Sequence, residues 1–131
     1  MQYKVAFLWL FIAIGWIVHH IYGLFGVYYN ETLMMEGADG TTPLLHHAYR
    51  ILFEGSALLF AFLSLVFKGK GILYTSLIWA VIGGIYNLYH LGAAIVYEPK
   101  NISEHFILVW MVLVSAYLIK TLNESRKSGL E

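Results

Sequence analysis

Long runs of apolar residues, broken by short polar connections, dominate the chain. A membrane-crossing helix needs about 20 predominantly apolar residues. Stretches at about 5–29, 44–67, 72–97 and 105–122 meet that requirement. Residues 30–43 (NETLMMEGADGTTP) form the one extended loop, with Pro43 opening the helix that follows. Lys68-Gly69-Lys70-Gly71 and Glu98-Pro99-Lys100-Asn101 read as tight turns. Ser103 is the expected N-cap of the last span, and the polar tail beyond Lys120 is expected to fray. The pattern predicts an all-α protein: a single membrane domain over residues 1–131, built as a four-span, up-down-up-down antiparallel bundle. The first run is too long for a signal peptide and lacks a small-residue cleavage site, so it reads as a span. Spans one and three share a resemblance of composition (IGWIVHHIYGLFGVYYNE and IGGIYNLYHLGAAIVYEP), which membrane helices commonly show.

Composition narrows the class. Hydrophobic residues make up 60% of the chain and charged residues 12%. Soluble domains carry about 25% charge. Disorder, nucleic-acid binding and ordinary soluble enzymes are excluded on that balance. Net charge is zero, so no global field selects a partner. Cysteine is absent, which removes disulfides, thiolate metal sites and cysteine nucleophiles. Basic residues set the expected orientation. Lys4, Lys68, Lys70, Lys120, Arg126 and Lys127 fall on the side of the termini; the other side has Lys100, with Arg50 inside a span. Both termini are therefore expected to face the cytoplasm, across the bilayer of a bacterial inner membrane. Asn30-Glu31-Thr32 and Asn101-Ile102-Ser103 match the glycosylation pattern but read as caps and turns at the membrane edge.

The candidate chemistry is concentrated in the half of the bundle away from the termini. All six histidines fall there: His19, His20, His46, His47, His90 and His105. At 1.5 Å per residue, His20 and His90 lie roughly 11–14 Å below the boundary, and His46, His47 and His105 roughly 3–6 Å below it. The depths pair His20 with His90 and His46 or His47 with His105, each pair drawn from diagonal spans. Facing helices of a bundle build metal and cofactor sites in this way. His47, Arg50 and Glu54, at i, i+3 and i+7, share an expected helical face, with Glu54 near the level of His19 and Asn87. A carboxylate or guanidinium within a bilayer costs roughly 2.5–3.5 kcal/mol on insertion scales, so both are expected to face inward and pair.

Three readings remain open. Haem b comes first: imidazoles of His20 and His90 on its iron, His47 as a further ligand, and Arg50 or Tyr49 near the propionates. The protein would then transfer electrons or meet a gas or quinone. The second is a copper, zinc or iron ion held among His19, His20, His46, His47, His90, His105 and Glu54; Met34 and Met35 in the loop favour copper within that reading. The third has no cofactor: a small subunit or a proton or solute conduit of a larger membrane complex. Partners are the lipid bilayer and either a redox partner or other membrane subunits, and not nucleic acid. No hydrolase motif is present; if the chain is an enzyme, it is a redox enzyme or subunit. Gly15, Gly23, Gly26, Gly83, Gly84 and Gly92 mark spans one and three for close packing.

The stretches HHIYGLFGVYYNE, TTPLLHHAYRILFEG and NLYHLG resemble small four-span bacterial membrane proteins that are themselves similar to a fragment of the haem–copper oxidase catalytic subunit. Three of the four spans carry the resemblance. It implies haem at His20, His47 or His90. The adjacent His46-His47 departs from the family's H-x-H spacing, and the further spans of an oxidase are missing, so oxygen reduction is not implied.

Overall fold

The computed structural model describes residues 2–129 and is a bundle of four long helices with no strand among them. The first, α1 (Gln2–Leu24), tightens into a 3₁₀ turn over Phe25–Tyr29. The second, α2 (Leu44–Val66), contains a π-helical segment at Arg50–Gly55. Two uninterrupted helices follow, α3 (Lys70–Tyr97) and α4 (Ile102–Ser128). All four are long and apolar enough to cross a membrane.

Local chemistry explains the breaks. Asn30, in the left-handed region at φ 62°, closes the 3₁₀ turn. Pro43 sits immediately before α2, as expected. Phe67 is extended after Val66, and Gly69 at φ 111° supplies a conformation that L side chains rarely adopt. The cap of α4 is Asn101 rather than Ser103: its side-chain oxygen accepts from the Glu104 amide at 3.3 Å. The tail does not fray where expected. The helix runs on to Ser128 because Thr121, Leu122 and Ser125 continue its buried face.

Helix α1 packs along both α2 and α4, and α3 packs along α4. The buried face of α1 is Val5, Trp9, Ile12, Trp16 and His19, at helical spacing; that of α4 is Glu104, Leu108, Met111, Ser115, Leu118, Leu122 and Ser125. Helix α2 offers α1 mainly small residues, Ser56, Ala57, Ala61 and Ser64, which let backbones approach. Between α2 and α3 the backbones stay further apart and aromatic rings bridge the space. Phe53 stacks on Tyr86 at 4.1 Å, and Trp79 Nε1 donates to Ser56 Oγ at 2.7 Å. Of the glycines at helix–helix contacts, Gly15 makes the tightest approach: a Cβ there would lie 2.5 Å from Met111 Cγ. At Gly23, Gly83 and Gly92 a Cβ would meet open space, so these glycines do not serve helix contact.

Candidate metal centre

Histidine 19 continues the Trp9–Ile12–Trp16 stripe of α1 into the loop-end half of the bundle. It is only 6% exposed. Its Nε2 lies 3.1 Å from His90 Nε2 of α3, and its Nδ1 lies 3.0 Å from Glu104 Oε1 of α4. One donor atom from each of His19, His90 and Glu104 falls within 4.8 Å of the others. Three helices thus deliver two imidazoles and a carboxylate to one buried point, a group able to hold a metal ion.

Two local devices aim these groups. Asn101 accepts from the Glu104 amide and donates from Nδ2 to Glu104 Oε2, a reciprocal cap that leaves Oε1 for His19. Trp16 packs edge-on against both imidazoles, with ring centroids 5.3 Å from His19 and 5.2 Å from His90. Tyr86 closes the far side of Trp16 at 5.6 Å and is itself stacked on Phe53. The cluster is rigid by packing, yet its polar atoms are not all satisfied. Trp16 Nε1 is buried with no hydrogen-bond partner. His19 Nδ1 has the ion-pair distance to Glu104 but no aligned hydrogen bond. Buried polar groups in native proteins are nearly always paired, so such atoms mark a place for a further group.

A second histidine–carboxylate pair flanks the first. His20 Nε2 meets Glu54 Oε2 at 2.9 Å, with the His20 side chain about half exposed. The π segment makes this pairing. The amide of Ser56 reaches back to Ile51 O, five residues earlier. One residue inserted into α-helical spacing turns the following side chains by roughly 100°. Arg50 and Glu54 therefore do not stack at i, i+4 as expected. Arg50 is exposed and makes no ion pair among the described residues, while Glu54 turns to α1.

The remaining candidates are placed apart from this centre. His90 meets His19, not the expected His20. His105 Nε2 lies 3.3 Å from the Ala94 carbonyl of α3, which ties it to the α3–α4 seam and not to His46 or His47. His46 is half-buried, and His47 and Tyr49 are exposed, on the first turns of α2. Glu104, central to the cluster, is not among the candidates that the sequence offered. The reciprocal Asn101-x-x-Glu104 spacing was the available signal.

Above the cluster a cleft of about 900 Å³ opens at the loop end, between the 3₁₀ turn of α1 and the α3–α4 connection. His19, His20 and Glu104 form part of its lining, with Glu31, Glu98 and Lys100 nearer its mouth. The acids outnumber the lysine, and such a mouth raises the local concentration of cations.

In comparisons with protein-family models, curated proteins and solved structures, nothing matches the chain. The fold and the site therefore define only a class: a four-span helical membrane protein with a buried His/Glu cluster.

Proposed function

We propose that the protein binds a transition-metal ion inside the membrane through His19, His90 and Glu104, and that the ion enters from the loop-end cleft. The observation that carries this reading is the 3.1 Å approach of His19 Nε2 to His90 Nε2 in a buried setting, with Glu104 on the other nitrogen of His19. A carboxylate near Nδ1 favours the tautomer with its proton there, which leaves the Nε2 lone pair available as a ligand. Two imidazole lone pairs facing each other repel unless a proton or a cation lies between them. Two imidazoles, one carboxylate and open positions suit iron(II) well, and imidazole also suits zinc and copper. His19, His90 and Glu104 would be the protein ligands, Glu104 either orienting His19 or entering the coordination sphere. Trp16 Nε1–H remains as a donor to any oxygen bound there.

Haem b is the second reading, carried by the size of the cleft and by Tyr22, Tyr29 and Lys100 in its lining. A macrocycle between His19 and His90 would have to displace Trp16, which packs against both rings. That packing favours the bare ion. The resemblance to the haem–copper oxidase fragment accords with either reading. Insertion in a bacterial inner membrane with cytoplasmic termini, and service to a redox partner or larger membrane complex, complete the proposal.

The test is metal titration of the detergent-purified, chelator-stripped protein with iron(II), zinc and copper, together with an optical spectrum of protein expressed with haem available. One ion per chain, lost in His19→Ala and His90→Ala, and no Soret band is the expected result. A Soret band whose α and β bands appear on reduction would replace the ion with haem. Equal metal uptake by wild type and both variants would overturn the site.

A further inference from the structure

At the opposite end of the bundle, where α1 begins and α4 ends, an open cavity of about 210 Å³ is bordered by α1, the α2–α3 turn and the end of α4. It is chemically unlike the cleft. Among the described residues its lining contains Lys68 and no carboxylate.

Two independent features converge on it. The first is the start of α3. Gly69 caps the helix without a side-chain hydrogen bond, and the first turn carries no acidic residue. The first backbone bond runs from the Leu73 amide to Gly69 O. The amides of Gly71 and Ile72 therefore point out of the helix end with no helical carbonyl ahead of them. Gly69 and Ile72 line the cavity, and a Cβ built at Gly69 or Gly71 would meet nothing within 4 Å. The positive end of a 28-residue helix thus lies at the cavity, with Gly69 and Ile72 in its lining. The second is Ser64. Its side chain is in the cavity lining and only 6% exposed. Ser115, Ser125 and Ser128 turn their hydroxyls back onto the carbonyls four residues earlier, Met111, Thr121 and Glu124. Ser64 makes no such bond and no other hydrogen bond among the described residues. A hydroxyl on a buried residue that lines a cavity, with no partner among the described residues, is free to donate to an acceptor there.

We infer that this cavity binds a phosphate group, with the α3 amides, the Lys68 ammonium and the Ser64 hydroxyl as its donors. A phosphate offers several acceptor oxygens and a negative charge, which matches a donor set of this kind. The group is carried either by a phospholipid of the adjacent leaflet or by a soluble phosphate.

The experiment is native mass spectrometry of the full chain in neutral detergent. The probes are dioleoylphosphatidylglycerol, inorganic phosphate and, as a phosphate-free control, dioleoylglycerol. Specific adducts with phosphatidylglycerol but not with inorganic phosphate assign the site to lipid; adducts with inorganic phosphate assign it to a soluble ligand. In either case Lys68→Gln and Ser64→Ala should each weaken binding about tenfold, the scale of one hydrogen bond to a charged group. Lys4→Gln, which removes a cation outside the lining, should leave it unchanged. Circular dichroism of each variant checks that the fold persists, and Ser64→Ala removes no protein hydrogen bond. Equal adducts with dioleoylglycerol, no adduct with any probe, or wild-type binding in both cavity variants would overturn the inference.

Discussion

At the termini end of the bundle the buried polar side chains are neutral: some find neutral partners, while Ser64 and Thr121 Oγ1 find none among the described residues. Trp9 Nε1 donates to Ser76 Oγ at 2.9 Å, and Ser125 donates to the Thr121 carbonyl at 2.8 Å. Near the middle, Asn87 Nδ2 donates to Ser115 Oγ at 2.9 Å. The Trp9–Ser76 and Asn87–Ser115 pairs join helices in the way that hydroxyls, amides and indoles do in membranes, for a modest gain each, while the Ser125 bond stays within α4. At the loop end the groups are ionisable: three imidazoles and two carboxylates meet, and the helices around them depart from regular α geometry in a 3₁₀ turn and a π segment. Neutral pairs suffice to hold helices together. Two carboxylates within spans are expensive for that purpose alone. The π segment, which gives up regular hydrogen bonding to aim Glu54, belongs to the end where chemistry is gathered, as such segments frequently do.

The contrast can be broken or sharpened experimentally. The largest effect should come from the ligands. His19→Ala or His90→Ala should lower metal affinity by more than the roughly 10–100-fold typical of losing a residue that only orients a ligand. His20→Ala and Glu54→Gln should leave an ion bound, because this exposed pair stands beside the centre; elemental analysis after dialysis reads both outcomes. If His20→Ala empties the protein and His19→Ala does not, the placement of the centre is wrong.

Next in size are packing changes away from the site. Gly15→Ala places a methyl against Met111 and should cost about 1–3 kcal/mol, whereas Gly83→Ala, facing open space, should be neutral or slightly favourable. Unfolding in detergent measures the difference. Equal effects at the two glycines would contradict the α1–α4 approach. Trp9→Phe removes the donor to buried Ser76 and should cost about 1 kcal/mol without altering metal uptake. Loss of metal in that variant would couple the two ends and erase the contrast.

The smallest effect belongs to the loop. Asp39 accepts from the Thr41 hydroxyl at 2.6 Å and from its amide at 2.9 Å, and these bonds hold its carboxyl below the usual carboxylate range. A depressed acid contributes to local structure above its unfolded pKa of about 3.9, and the contribution is lost as pH falls through the lower folded value. The Thr41 amide resonance should therefore shift only below pH 4. A transition centred on the ordinary aspartate value would show that the turn is not formed.

Hydropathy alone located the four spans, because a bilayer imposes length and apolarity on each. It also showed which half holds the histidines. Depth along a helix could not separate His19 from His20, which differ by about 100° around the axis and hardly at all in height. The buried stripe Trp9, Ile12, Trp16, His19 carried that information, and it selects His19. Glu104 was hidden by its position two residues into α4, where an acid ordinarily faces water or the helix dipole. The metal reading grouped Glu54 with His20, but their direct pairing was hidden: it depends on the π segment, and α-helical spacing gives a bridge to Arg50 instead. Haem, the leading reading from imidazole count and depth, assumed room between two facing histidines. The packing of Trp16 against both rings bears on that assumption, and no spacing rule reveals it.

The most direct test of the central claim is X-ray absorption spectroscopy of the protein loaded with one equivalent of zinc. The account predicts two imidazoles and at least one oxygen donor near 2.0–2.1 Å, with one imidazole lost in His90→Ala. A spectrum fitted by oxygen donors alone, or one unchanged by His90→Ala, would contradict it.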